Sequence, residues 1–347
     1  MGATTGIRET LQALVLGRTL SSDDSASLFE DVLTGRLDDA QIASALTAMA
    51  MRGVTVPELV GAAGVMRRHV TRLPGIEGLD GHVIDTCGTG GAPKTFNIST
   101  IAALVAAAAA PSRVRVAKHG NRSRTGRGSA EVLAALGVHV DASPAVQTRC
   151  LEACSVCFCF AVHHHPAMKF AAGVRRSLAF PTIFNLLGPL TNPAGARRQL
   201  MGIYDAALVP LVAEALRTLG AERAMVVHSF DGLDELSTAA PTRIAHVTPQ
   251  GVREEVLDPA SLGLARATLE QLSASTLEEA VAIARGVLAG EGGPRSDIVA
   301  LNASAALVVG GAAATLAQGL AMAREAIASG AAKRTLDRLA EESGRPA

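Results

Sequence analysis

His82-Val83-Ile84-Asp85-Thr86-Cys87-Gly88-Thr89-Gly90-Gly91-Ala92-Pro93-Lys94-Thr95-Phe96-Asn97-Ile98-Ser99-Thr100 holds three kinds of structure in one line. His82 to Asp85 is a compact apolar run of strand type, glycines crowd the middle, and Ile101 to Ala110 is a helical stretch that follows directly. The alternation continues downstream. Val114-Arg115-Val116-Ala117 reads as a strand and Ala130 to Leu136 as a helix; Cys157-Phe158-Cys159-Phe160 and Ile203-Tyr204 read as strands, Leu208 to Leu219 as a helix, and Ala224 to His228 as a strand. Strands alternating with helices predict an α/β fold with a central, mostly parallel sheet flanked by helices. Leu277 to Ala289 and Ser304 to Ser329 read as Ala-rich helices, whereas Thr242 to Gln271 mixes short strands with turns and yields no clear placement.

Upstream of Gly75 the pattern is helical only. Ile7 to Leu16 has apolar residues at helical spacing and stops near Gly17. Ser21 or Ser22 can cap a helix that ends at Gly35, and Asp38 or Asp39 one that ends near Gly53. Pro57 stands where a first-turn proline belongs for a fourth helix. Four short helices with short connectors predict a small N-terminal bundle.

Composition narrows the function. The chain has 347 residues, 48% of them hydrophobic, enough for one large or two modest domains. Lys plus Arg and Asp plus Glu number 32 each, so the formal net charge is zero, which disfavours coating nucleic acid or an acidic membrane. Trp is absent and Tyr occurs once, so stacking platforms for single-stranded nucleic acid are scarce. There is no long uninterrupted apolar run of the spanning kind, and Met1 to Gly6 lacks the features of a leader. An odd five Cys suits a reducing cytosol rather than a disulfide framework, and the expected location is cytoplasmic.

Three strand-end loops carry the chemistry, and in an open parallel sheet such loops converge on one crevice. In the first, Gly88 to Gly91 permit close backbone approach, the helix start adds its positive dipole end, and Ser99 and Thr100 add hydroxyls: a phosphate cradle. The plainer alternative is a Gly-rich turn before a helix capped by Ser99. Gly88 to Thr95 also comes close to the phosphate loop of nucleotide hydrolases, but the sixth position is Pro93, which has no N–H and cannot adopt positive φ. In the second loop, Lys118-His119-Gly120-Asn121-Arg122-Ser123, with Arg127 and Ser129 beyond, supplies cations, an amide and hydroxyls for a phosphorylated, hydroxylated ligand; a solvated basic loop is the alternative. In the third, His228-Ser229-Phe230-Asp231-Gly232-Leu233-Asp234-Glu235, paired carboxylates suit a hard cation such as Mg²⁺, unless they are a surface acidic turn. Cys150, Cys154, Cys157 and Cys159 lie near His163, His164 and His165, but the alternation with Phe158 and Phe160 favours small core side chains over a zinc site. Cys87 is read as packing too.

Taken together, GTGG followed by TFNIST, then VAKHGNRS, HHPAMK, VRRSLAFPTIFNLLGPLTNPA, MGIY and HSFDGLDELS, in that order, resemble the anthranilate phosphoribosyltransferase family over nearly the whole chain. The most specific piece is Thr182 to Pro193. The resemblance implies a helical domain over about 1–74, with a return segment about 166–185, and a phosphoribosyl-pyrophosphate-binding α/β domain over 75–347. It implies a homodimer through the helical domain. It also implies transfer of the 5-phosphoribosyl group from phosphoribosyl pyrophosphate to anthranilate, with Mg²⁺, in tryptophan biosynthesis. Carried over by position, Gly88, Thr89, Gly90, Gly91, Thr95, Asn97, Ser99, Thr100, Lys118, His119, Gly120, Asn121, Arg122, Ser123 and Ser129 would bind the phosphoribosyl donor. Gly88, Asn121, His165, Arg175 and Gly188 would meet anthranilate, with His119 lining the same tunnel; Ser99, Asp234 and Glu235 would hold metal. No dedicated acid or base is expected. The family pattern has Asp directly after GTGG; here Ala92, Pro93 and Lys94 fill a gap one residue shorter, which removes a carboxylate and adds a cation. The stretch from Ser123 to Ser129 is also one residue short, and Pro111-Ser112-Arg113 predicts a surface bulge. The weighed alternatives are another acceptor on the same scaffold, in a transferase or phosphorylase, and a catalytically weak nucleic-acid-binding relative using Arg113, Arg115, Arg122, Arg124 and Arg127.

Overall fold

The computed structural model describes residues 6–93, 95–123 and 126–346. Lys94 and Arg124, on which two of the expectations above fall, lie outside the described residues.

The chain opens with α1 (Ile7–Val15), α2 (Ser22–Leu33), α3 (Asp39–Arg52) and α4 (Val56–Arg68). Their starts follow local chemistry. Ser21 Oγ accepts the Asp24 N–H at 3.1 Å; Asp38 and Gln41 form a reciprocal capping box at 2.8 and 3.1 Å; Pro57 lies in the first turn of α4. Phe29, Met49 and Leu59 are fully buried where the four helices meet.

The α/β part then runs β1 (His82–Gly88), α5 (Ile98–Ala109), β2 (Val114–Gly120), α6 (Ser129–Ala135), α7 (Pro144–Cys154), β3 (Val156–Phe160) and α8 (Ala161–His164). Next, α9 (Lys169–Leu178) packs on α2 and α3, and α10 (Ile183–Leu187) packs on α3 and α4. The chain re-enters the sheet as β4 (Arg198–Gly202), α11 (Val209–Thr218), β5 (Arg223–Ser229), β6 (Thr242–Thr248) and β7 (Gly251–Leu257), and closes with α12 (Leu277–Leu288), α13 (Pro294–Val309), α14 (Leu316–Ala328) and α15 (Ala331–Gly344).

The strand order is β3-β2-β1-β4-β5-β6-β7, parallel from β3 to β5, with β6 and β7 antiparallel at one edge. The chain lays β1, β2 and β3 outward on one side and returns to place β4 against β1 on the other. That reversal leaves a crevice between the carboxyl ends of β1 and β4. Register aligns the rim: Gly88 faces Gly202, Gly120 faces Phe160, and Gly202 faces Val227.

Both sheet faces are covered. Leu200, Met225, Val227 and Ile244 join α5, α13 and α14 in one apolar core, whereas the alternate Met201, Ala224, Val226 and Ala245 share a second core with the bundle. Strands buried on both faces read as continuous apolar runs rather than alternating ones.

Two expectations are corrected, and the segment left unplaced finds its place. Ile203-Tyr204 is not a strand; it follows β4, whose polar Arg198 and Gln199 hide it in the sequence. Ser304 to Ser329 is not one helix but the end of α13 and all of α14, parted at Gly310 and Gly311. Thr242 to Leu257 is an antiparallel hairpin. Pro111-Ser112-Arg113 forms the expected exposed turn, with Ser112 in the left-handed region at φ 63°.

Candidate active site

At the reversal point lies a cavity of about 590 Å³. Every donor-binding candidate lines it, from Gly88 to Thr100 on the first loop and from Lys118 to Ser129 on the second, and so do Asp234 and Glu235 on the third. Three segments far apart in sequence thus meet on one space.

The first loop leaves β1 at Gly88 and turns back through Gly90 and Gly91, at φ +66° and +98°, where a Cβ is strained. It is pinned to β4: the Thr89 N–H donates to Gly202 O at 2.9 Å, and Thr89 Oγ1 accepts the Tyr204 N–H at 3.0 Å. Asn97 enters α5 from the left-handed region at φ 65°, and its Nδ2 donates to Arg127 O at 3.1 Å, tying the first loop to the second. Asn and Asp are the non-glycine residues that tolerate this conformation best.

Lys118 is buried beside this helix start, its Nζ donating to Thr86 O at 2.6 Å and to Ser99 Oγ at 3.3 Å. Burial lowers its pKa, opposed by Asp85, Glu235 and Asp234. Glu235 Oε1 accepts the Ser99 N–H at 3.2 Å, so a carboxylate from β5's loop meets the positive end of α5. Burial, then the neighbouring Asp234 charge, push Glu235 up to about 8. Asp234 itself lies against Gly88: a Cβ there would be 2.5 Å from its Oδ2. Asp231 is used within the loop, accepting from the Leu233 N–H at 3.1 Å and the Ser237 hydroxyl at 2.6 Å.

Two adjacent, half-buried carboxylates raise each other's proton affinity, and a divalent cation removes that penalty. Among the described residues no three His, Cys, Asp or Glu side chains converge. The available set is two carboxylates and the Ser99 hydroxyl, all hard oxygens and fewer than a full shell. That is the partial set Mg²⁺ takes when substrate phosphates and water complete it. The residues fit the ion.

The anthranilate candidates divide. Gly88 and Asn121 line the cavity; His165, Gly188 and Arg175 do not. His165 reaches it through His119, their Nε2 atoms 3.2 Å apart, and the Gly188 carbonyl hydrogen-bonds His119. Burial lowers both imidazoles, His165 to about 4, so the pair is neutral near pH 7. Arg175 projects from α9, its guanidinium carbon 5.1 Å from the Phe184 ring centre.

Sequence reading passed over Asn185 and Asn302, which also line the cavity. Asn185 lies within Thr182 to Pro193. Asn302 is a lone amide inside an apolar run, outside the helix expected from Ser304.

The Cys and His cluster disperses into separate contacts. Cys157 and Cys159 are buried side by side, 3.7 Å between sulfurs; His163 meets Asp141 at 2.7 Å; His164 bonds Thr71 O and Gln147 at 2.7 and 2.8 Å. Burial holds Cys87 well above the ordinary thiol value, in the unreactive form. Of the arginines weighed for nucleic acid, Arg115 is buried on backbone carbonyls, Arg127 bonds Ala274 O, and Arg122 lies over the Phe160 ring.

Residues 80–333 match the family model described as the glycosyl transferase family a/b domain, and residues 8–70 match its helical bundle domain. An anthranilate phosphoribosyltransferase of Rubrobacter xylanophilus is 45% identical over 342 residues, 98% of each chain; one of Thermomicrobium roseum is 47% identical over 338 residues, 96% of each. The crystal structure of the Thermus thermophilus anthranilate phosphoribosyltransferase matches with a TM-score of 0.89 at 38% identity, covering 96% of this chain and 99% of that one. The chain belongs to this family. The Saccharomyces cerevisiae family member in complex with PRPP and Mg shares its fold, with a TM-score of 0.86 at 24% identity over 97% of each chain.

Proposed function

We propose that this chain transfers the 5-phosphoribosyl group of phosphoribosyl pyrophosphate to the amine of anthranilate, releasing pyrophosphate, as a step of tryptophan biosynthesis. The observation that carries the reading is the convergence of the glycine turn, the lysine–asparagine loop and the acidic pair on one cavity. The C1–O bond to pyrophosphate breaks, the N–C1 bond forms, and the amine proton is lost to solvent. Partial positive charge grows on the ribose as negative charge grows on the leaving group. Lys118, the loop N–H groups and the start of α5 oppose the leaving-group charge; Asn97, Ser99, Thr100 and Ser129 hold the phosphoribosyl part. Bound Mg²⁺, held by Asp234, Glu235 and Ser99, supplies further charge neutralisation. An aromatic amine is neutral near pH 7 and attacks without prior deprotonation, so no residue is assigned as base. Asn121 and Arg175 orient the anthranilate carboxylate, with His119, His165 and Gly188 lining its approach.

The reading includes a helical domain over 1–74 with its return segment 166–185, a catalytic α/β domain over 75–347, a cytoplasmic location and a homodimer through the bundle. Exposed Val15 and Met51, on two helices that pack together, and Leu16 directly after the first of them support the dimer. Among the described residues no helix is long and apolar enough to cross a membrane.

The test follows anthranilate fluorescence with phosphoribosyl pyrophosphate. Consumption that needs both the donor and Mg²⁺ supports the reading; donor cleavage only with a different acceptor supports the alternative scaffold use; no reaction with either sinks it.

A further inference from the structure

One buried amide grips the acidic turn from behind. Asn302, 1% exposed in the middle of α13, accepts the Leu236 N–H on Oδ1 at 3.0 Å. Its Nδ2 donates to Leu236 O at 2.8 Å and to Ile298 O at 2.9 Å. Both N–H groups and the carbonyl of the side chain are therefore engaged. The Leu236 N–H belongs to the peptide bond that Glu235 begins, so the amide holds the plane from which the Glu235 side chain departs. On the other flank, the Asp234 carbonyl packs so closely on Gly202 that a Cβ there would lie 1.6 Å from its oxygen. The pair is thus held at both ends.

This restraint has work to do. Asp234 and Glu235 are adjacent like charges on the cavity wall, and a free turn would relieve their repulsion by swinging one carboxylate outward. We propose that Asn302 is a positioning residue, which keeps the two carboxylates, with Glu235 on the Ser99 N–H, in the register that a divalent cation requires. The proposal rests on the reading of the acidic pair as a metal site, and it assigns Asn302 no contact with the reacting atoms. Partners of this kind typically alter metal affinity by about 10- to 100-fold when removed.

The experiment uses the full chain with Mn²⁺ as a spectroscopic probe, with and without phosphoribosyl pyrophosphate, in wild type, Asn302→Ala and Asn302→Asp. The aspartate keeps the acceptor for Leu236 N–H and loses both donors. Expected are Mn²⁺ dissociation constants raised about 10-fold or more, an anthranilate KM within about twofold of wild type, and lost turnover recovered at high Mg²⁺. A merely structural role would not be rescued by the metal. Variant constants equal to wild type, or lost turnover that Mg²⁺ does not restore, overturn the proposal and leave the metal reading standing. A wild type that binds no Mn²⁺ overturns both. If the variants do not fold, amide exchange in the wild type decides. The Leu236 N–H should exchange on the order of 100-fold more slowly than an unstructured amide, and exchange at the unstructured rate overturns the clamp.

Discussion

His119 and His165, with ring nitrogens 3.2 Å apart and little water between them, cannot both be charged. Burial lowers both; His164 and Lys118 add positive charge nearby, and the Gly188 carbonyl pulls His119 the other way. Because the folded values lie below the unfolded one, the neutral pair stabilises the fold above about pH 6.5, and that contribution is lost as pH falls toward 4. For His165 alone the shift corresponds to about 3 kcal/mol. Glu235 acts oppositely: raised to about 8, its contribution is full at low pH and fades as pH rises through 8. Differences between wild type and His165→Gln therefore isolate the histidine. The wild-type melting midpoint should fall more steeply than the variant's between about pH 6.5 and 4.5. Parallel curves would remove His165 from the acid limb.

At the scale of elements, two glycines one turn apart on α4 should respond to alanine with opposite signs. Gly61 lies where α4 crosses α2; a Cβ there would be 2.2 Å from Ser22 O and 3.0 Å from Ala26 N. Gly64 has nothing within 4 Å. Alanine gains about 1 kcal/mol of helix propensity at either site. At Gly61 it must also push two backbones apart, at about 1–3 kcal/mol. Urea denaturation should show Gly64→Ala stabilised and Gly61→Ala destabilised. A stabilised Gly61→Ala would mean that α2 and α4 can move apart at little cost. The starts of α2, α3 and α4 were legible because Ser21, Asp38 and Pro57 act on their own first turns. The three chemical loops were legible because each follows an apolar strand and concentrates glycine, cation or carboxylate. β4 was misplaced because Gln199, polar in a buried strand, is satisfied by Pro189 O at 2.6 Å, a partner ten residues away that no local pattern reveals. Asn302 escaped for the same reason: its meaning lies in a loop 66 residues away.

For the molecule as a whole, the proposed acceptor role of Arg175 turns on geometry, because Arg175 does not line the cavity. Arg175 rides on α9, which packs on α2 and α3, so the bundle carries it, whereas the cavity belongs to the carboxyl edge of the sheet. Arg67 joins the two, with Nε donating to Leu190 O at 2.8 Å and Nη1 to Leu219 O at 3.0 Å, and a shared apolar core backs it. An approach of α9 toward the sheet about that junction would carry the guanidinium from the Phe184 face to a ligand carboxylate, where it can form a charge-assisted bond. Donor binding does not need that movement, since the cavity residues around Gly90 and Lys118 are already together. Arg175→Ala should therefore raise the anthranilate KM about 10- to 100-fold, the worth of a hydrogen bond to a charged group. The KM for phosphoribosyl pyrophosphate should stay within about twofold, because donor and acceptor contacts are separable. Steady-state kinetics with each substrate varied in turn distinguishes the cases. Equal changes in both constants would make Arg175 a structural part of α9, and an unchanged anthranilate constant would take it out of the acceptor site.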